Sequence, residues 1–134
     1  MQIEGYYNGQ RMPIALDASG RLLTGKGSPE TSYTAGASIT NSTADTALKV
    51  AAGALQRNYV TDLIISNTNA TALSVQVKDG ATALGRPIFV PATATVTVSL
   101  NTPFRTTANT ALNAALTVAL AAAVDITVVG YTGL

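Results

Sequence analysis

The sequence contains no cysteine, no histidine and no tryptophan. Without cysteine, the chain has no disulfide, no thiol nucleophile and no thiolate ligand for a metal. Without histidine, it lacks the side chain that most often serves as a general base near neutral pH. Seven carboxylates remain, but no two of them lie within four residues of one another along the chain. We therefore predict no catalytic, metal or cofactor site and no enzyme activity.

Charged and aromatic residues are also scarce. They make up only 11% and 5% of the chain, and the net charge is +1, whereas charged residues usually make up about a quarter of a globular protein. The basic residues form no run, so we expect no nucleic-acid partner. The most apolar segment, residues 111–124, is interrupted by Asn113 and Thr117 and is shorter than the roughly 20 residues of a membrane span. We expect no membrane partner either. A surface rich in Thr, Ser and Asn costs little to desolvate and suits packing against other protein.

Two stretches alternate strictly between apolar and polar side chains, residues 73–78 and 95–100. Successive side chains leave opposite faces of a strand, so a period of two predicts strands with one buried face. Asp79-Gly80 follows the first stretch and has the composition of a tight hairpin turn. This part of the chain is therefore predicted to be antiparallel β-structure.

Residues 59–66 differ because they are apolar on both faces of the predicted strand. A strict alternation places Leu63 and Ile65 on one face. It places Val60 and Ile64 on the other face. Such a pattern predicts a central strand or one that a partner covers.

Further strands are predicted at 38–41, 46–51, 84–90, 104–106, 111–118 and 124–131. Pro87 marks residues 84–90 as an edge strand or as a strand with a bulge, because proline cannot donate a hydrogen bond to a neighbouring strand. Residues 101–103, Asn-Thr-Pro, are expected to break the preceding strand. Leucines spaced by four within residues 107–123 also fit a helix, but the neighbouring strands favour a strand over 111–118 and a turn over 119–123.

About eight short strands separated by turns predict an all-β fold, a jelly-roll-like antiparallel β-sandwich. We assign residues 37–134 to this body and residues 1–36 to an N-terminal arm. Within the arm, residues 13–16 and 21–24 flank Asp17-Ala18-Ser19-Gly20, which predicts a small hairpin. A hairpin alone is marginally stable in water. It therefore either docks on the body or a neighbour, or the arm is a flexible terminus.

Most of the carboxylates are expected to have structural roles. Asp17, Asp45 and Asp79 lie in predicted turns, where aspartate hydrogen-bonds its own backbone. Asp62 is close to Arg57 in sequence, and we expect a structural ion pair between them.

Residues 38–134 resemble small virion structural proteins of tailed bacteriophages. The resemblance rests on three stretches: SITNSTADTALKVAA, VTDLIISNTNATALSVQVKDGAT, and VPATATVTVSL with the following TPFRTTANTALNAALTVALAAAVDITVVGY. The arm sequence PIALDASGRLL is similar to openings of phage head and tail proteins. These motifs mark a β-sandwich rather than a chemistry, so they transfer no catalytic residue.

The resemblance implies a non-enzymatic capsid decoration, or cement, protein of the virion, assembled in the host cytoplasm and forming a homo-oligomer, with a trimer favoured. Its partners would be the major capsid protein or other virion subunits. We expect the arm to make the main contacts to the shell. The expected contact residues are Tyr6, Tyr7, Arg11, Ile14, Leu16, Arg21, Leu22 and Leu23.

Two other functions remain open at this point. The same sandwich would serve in a tail, collar or fibre component of the virion. A carbohydrate-binding module is the second alternative, but it needs exposed aromatic side chains. We expect Phe89, Phe104, Tyr59 and Tyr131 to be packed instead, and we expect Tyr6 and Tyr7 to anchor the arm.

Overall fold

In a computed structural model, which describes residues 3–7, 10–14 and 30–134, the chain is built from β-strands and contains no helix within those residues. The strands in chain order are β1 Ile3–Tyr7, β2 Gln10–Ile14, β3 Thr31–Ile39, β4 Thr46–Lys49, β5 Arg57–Asn67, β6 Leu73–Asp79, β7 Thr82–Ala83, β8 Ile88–Val90, β9 Ala94–Arg105, β10 Leu112–Leu116 and β11 Val124–Gly133. The predicted all-β class is confirmed.

Strands β3 to β11 form two packed antiparallel sheets. The four-stranded sheet has the order β3-β11-β5-β9. The five-stranded sheet has the order β4-β10-β6, with both β7 and β8 paired along the far side of β6. Neighbours in chain order therefore mostly lie in different sheets, as in a Greek-key sandwich.

The pairing of these strands is nested. The innermost pair is β6 with β8, followed outward by β5 with β9, β4 with β10, and β3 with β11. The chain is therefore one long hairpin rolled up on itself, and contacts of β11 with β5 and of β10 with β6 close the roll. Eight strands in two sheets with this order form a jelly roll. The short strand β7 is an addition to the innermost loop.

The core lies between the sheets and is almost entirely aliphatic. The central strands contribute alternate residues that are all at most 3% exposed: Val60, Leu63, Ile65, Leu73, Val75, Val77, Leu112, Ala114, Leu116, Val124, Ile126 and Val128. The aromatic residues Tyr33 and Phe104 are partly buried and pack against the margin of this cluster. The alternation of apolar and polar residues along these strands thus places the apolar side chains together on the buried face.

A β-bulge corrects the expected alternation in β5. Thr61 has no partner on β11, because Val60 pairs with Gly130 and Asp62 pairs with Val129, which are consecutive residues. The extra residue places Val60 on the same face as Leu63, and both are completely buried. The prediction that β5 is central is confirmed, but the expectation that Val60 and Ile64 share a face is wrong.

Several strand boundaries also differ from the sequence prediction. Residues 31–36, assigned to the arm, belong to β3 and pair with β11 throughout. The strand β9 continues through Asn101–Pro103 to Arg105, but its pairing with β5 is interrupted there, because residues 100–103 have no partner between the Ser99 and Phe104 pairs. Pro103 is tolerated there because β9 is an edge strand in the described sheet and pairs only with β5. The strand predicted over residues 84–90 is shorter than expected, because β8 covers only Ile88–Val90 and Pro87 precedes it. Among the described strands β8 pairs only with β6, so it lies at the edge of the sheet as predicted.

We expect Leu63→Ala to lower the free energy of unfolding by about 2–5 kcal/mol, because it opens a cavity in a fully buried site. The neighbouring Ile64→Ala is the matched control. Ile64 is 39% exposed on the opposite face, so its truncation should cost about 1 kcal/mol or less. Urea denaturation followed by circular dichroism measures both. Equal losses for the two variants would contradict the assignment of Leu63 to the core and of Ile64 to the opposite face.

Candidate interaction surfaces

The N-terminal hairpin formed by β1 and β2 carries four of the expected contact residues. Tyr6 and Tyr7 lie in β1, and Arg11 and Ile14 lie in β2. The register pairs Tyr6 with Arg11 and Tyr7 with Gln10. This hairpin begins before the one predicted over residues 13–24, and Tyr6 and Tyr7 are strand residues.

The sequence does contain a signal for this hairpin, which the prediction over residues 13–24 overlooked. Only Asn8 and Gly9 separate the paired residues Tyr7 and Gln10, and Asn-Gly is the strongest two-residue hairpin signal. Most of the hairpin predicted over residues 13–24 lies outside the described residues. The same is true of four expected contact residues, Leu16, Arg21, Leu22 and Leu23.

The surface of the four-stranded sheet that points away from the core is called the outer face here. Its side chains are mostly small and uncharged: Thr34, Ser38, Asp62, Ile64, Ser66, Thr95, Thr97, Ser99, Asp125, Thr127 and Val129. Cross-strand hydrogen bonds organise it, for example from Thr95 Oγ1 to Ser66 Oγ at 3.2 Å. The result is a polar surface from which few long side chains project.

Both carboxylates of the outer face are engaged by hydroxyl groups on neighbouring strands. Ser99 Oγ donates to Asp62 Oδ1 at 2.8 Å, and Ser38 Oγ donates to Asp125 Oδ1. Arg57 instead donates from Nη1 to the Thr106 carbonyl at 3.2 Å. The predicted ion pair of Arg57 with Asp62 is therefore absent from the described part of the chain.

Two of the three aspartates predicted to sit in turns, Asp45 and Asp79, link separate elements, whereas Asp17 lies outside the described residues. Asp45 accepts a hydrogen bond from Lys78 Nζ at 2.6 Å. Asp79 accepts from the Thr107 backbone N–H at 3.0 Å and from its hydroxyl at 3.2 Å. These contacts tie the loop after β9 to the end of β6. Residues 30–134 contain no group of three or more acidic side chains placed to hold a metal ion.

At one end of the outer face, Tyr59 and Tyr131 form a stacked pair. Their ring centroids are 4.7 Å apart and their planes differ by 10°, because the two residues pair directly on adjacent strands. The Tyr59 hydroxyl donates to the Leu134 carbonyl at 2.6 Å. Burial, Glu30 and Tyr59 together raise the pKa of Tyr131. Both rings are half-buried and pack against each other, as expected, at the margin of the sheet rather than in its core.

Phe89 is the aromatic residue for which the expected packing is wrong. It lies in β8 opposite Ser74 and is 63% exposed on the outside of the five-stranded sheet. Phe104, in contrast, packs against the core as expected. Sequence alternation alone did not reveal the exposure of Phe89, because β8 is only three residues long.

Buried asparagines at both ends of β5 hold the loops. The Asn67 amide, 1% exposed, donates to the carbonyls of Thr71 at 2.9 Å and Pro91 at 3.0 Å. Its oxygen accepts from the Asn69 backbone N–H at 3.0 Å. At the other end, Asn58 donates from Nδ2 to the Val50 carbonyl at 3.0 Å. Each asparagine supplies a buried amide to backbone groups that no strand pairing satisfies.

Tyr33 lies near the margin of the sandwich, on the outermost strand β3. Its hydroxyl donates to the Tyr59 carbonyl at 3.0 Å, and Lys49 Nζ lies 5.2 Å from the centre of its ring. Burial raises the pKa of Tyr33 to about 12. The hydroxyl is therefore a hydrogen-bond donor throughout the physiological range, and it connects β3 to β5 across β11.

A comparison with protein-family models finds no match to this chain, and a search of the curated proteins finds none either. Among the described residues, no helix is long and apolar enough to span a membrane.

We expect Asn67→Ala to lower the free energy of unfolding by about 1–3 kcal/mol, because buried backbone groups lose their partners. The control is Asn101→Ala, an exposed position in β9, where a change within about 0.5 kcal/mol is expected. Thermal or urea unfolding at neutral pH compares the two. If both variants are equally stable, the Asn67 amide does not hold the loops.

Proposed function

We propose that this chain is a structural, non-enzymatic protein of a tailed-bacteriophage virion. In this role it is a decoration or cement protein that binds the outer surface of the head and stabilises it by bridging capsid subunits. It is assembled in the host cytoplasm, it needs no cofactor, and its partners are the major capsid protein or other virion subunits. Nucleic acid and membrane are not among the partners that we propose.

The observation that carries this proposal is the jelly-roll strand order of residues 31–133. Capsid proteins are one of the main classes that use this fold. Because a fold alone does not determine function, the proposal also depends on the sequence resemblance of residues 38–134 to phage virion proteins. The low, weakly charged outer face supports it further, since such a surface costs little to desolvate in a protein contact.

The arm is the proposed shell-binding element. It comprises the residues before β3, including the β1–β2 hairpin with Tyr6, Tyr7 and Arg11. Tyrosine and arginine are the residue types that most often dominate protein interfaces, because they combine a large contact area with polar groups.

We expect a chain that lacks residues 1–29 to lose binding to purified particles, because the arm is removed while β3 remains. Co-sedimentation of the protein with particles stripped of it measures the binding. Full-length Tyr6→Ala and Tyr7→Ala variants test the same contact without truncation, with Thr97→Ala on β9 as control. Binding of the truncated chain at full affinity would contradict the role of the arm.

The position of the protein on the particle separates decoration from a tail, collar or fibre role. Immunogold labelling with antibody against residues 38–134 should place gold across the head. Gold only at the neck or tail would assign the second structural role. No gold on any particle would overturn the virion proposal.

The exposed aromatic side chains favour carbohydrate binding as a second candidate. Phe89 and the Tyr59–Tyr131 pair offer ring surfaces of the kind that stack against sugars. A glycan array with the intact chain tests this candidate, and Phe89→Ala should abolish any signal that arises from the five-stranded sheet.

A further inference from the structure

Most of the sheet edges in this molecule carry features that discourage pairing with another strand. The strand β4 is only four residues long, contains Lys49 and faces a bulge. The edge beside β6 is divided into β7 and β8, and Arg86 and Pro87 lie between them. The strand β9 contains Pro103 and Arg105. Short strands, charges, prolines and bulges are the usual means by which proteins protect an open edge.

The edge formed by β3 has none of these features. It is nine residues long and contains no charged residue and no proline. Its register with β11 runs without a break from Thr31 to Ile39. Within the described residues, β11 is its only strand partner. A long, regular and uncharged edge offers a row of backbone groups to an incoming strand.

The sequence of β3 is complementary to itself. We propose that β3 pairs antiparallel with β3 of a second copy of this chain, about a two-fold axis at Ala35. In that register Thr34 lies opposite Gly36 of the other copy, and Tyr33 lies opposite Ala37. Both Thr34 and Tyr33 thus meet a small residue, and no like charges meet across the pair.

Gly36 gives this register a specific geometry. A side chain at Gly36 would collide with the Ile126 carbonyl of β11, so the position stays without one. A shallow hollow results at the edge, lined in part by Thr34, Ser38 and Thr127. In the proposed pair, Thr34 of the second copy lies over this hollow, and the reverse contact occurs at the symmetric position.

The consequence is one continuous sheet of eight strands made from two four-stranded sheets. This interface is two-fold, whereas the sequence resemblance favours a trimer. It is also separate from the proposed shell contact, which uses residues before β3. Failure of particle binding therefore does not affect this inference, and a monomeric protein does not affect the shell-binding proposal.

Sedimentation velocity of the intact chain tests the pairing. We expect a dimer, and we expect Thr34→Lys to weaken it at least about tenfold, because two lysines would be brought close together across the pair. Thr97→Lys is the matched control: it changes an exposed threonine of β9, at the other edge of the same sheet, and should leave the dimer unchanged. A monomer, a trimer, or equal effects of both variants would overturn the inference.

Cross-linking tests the register. The natural chain has no cysteine, so Ala35→Cys introduces a single thiol. Opposed residues in an antiparallel pair have Cα atoms about 4.5–5.5 Å apart, which is within disulfide range. Mild oxidation should therefore convert most of the Ala35→Cys protein into a covalent dimer, while Thr97→Cys remains monomeric on a non-reducing gel. Equal cross-linking of the two variants, or none at Ala35→Cys, would overturn the proposed register.

Discussion

The structure depends on the packing of β5, which lies inside the four-stranded sheet between β11 and β9. It pairs with both β11 and β9, and its buried residues Val60, Leu63 and Ile65 lie in the centre of the core. The bulge at Thr61 makes this possible, because it returns Val60 to the inner face. Buried asparagines at both ends of β5 then fix the connecting loops. Most other strands take their positions from this one.

Local patterns in the sequence predicted the strands well where one face of the strand is exposed to solvent and the other is buried. The alternation of residues 73–78 and 95–100 and the turn at Asp79-Gly80 are local properties, so they could be read without the fold. The preference for a strand over residues 111–118 was also correct, since Leu112–Leu116 form β10. In that segment, pairing with two neighbours prevailed over the helix propensity of alanine and leucine.

Features that depend on distant residues were not predictable in this way. A bulge can be recognised only when the partner strands are known, so the prediction of which face of β5 carries Val60 was wrong. Pro103 breaks a strand only if its missing N–H is needed, and at the edge of the sheet it is not. The expected ion pair of Arg57 with Asp62 is absent for a similar reason. Their actual hydrogen-bond partners, Thr106 and Ser99, come from elsewhere in the chain. Of the surfaces described above, the sequence patterns did not reveal the stacking of Tyr59 on Tyr131 or the exposure of Phe89.

The nested pairing also determines when the molecule can fold. The outermost ladder joins Thr31 to Thr132, residues near opposite ends of the chain. During synthesis, β3 is therefore made well before its partner β11. Closing such long loops costs entropy before any contact compensates for it, and folds dominated by distant pairings form slowly. The outermost ladder thus closes only after β11 has been made, and β3 is the strand that remains without its neighbour the longest.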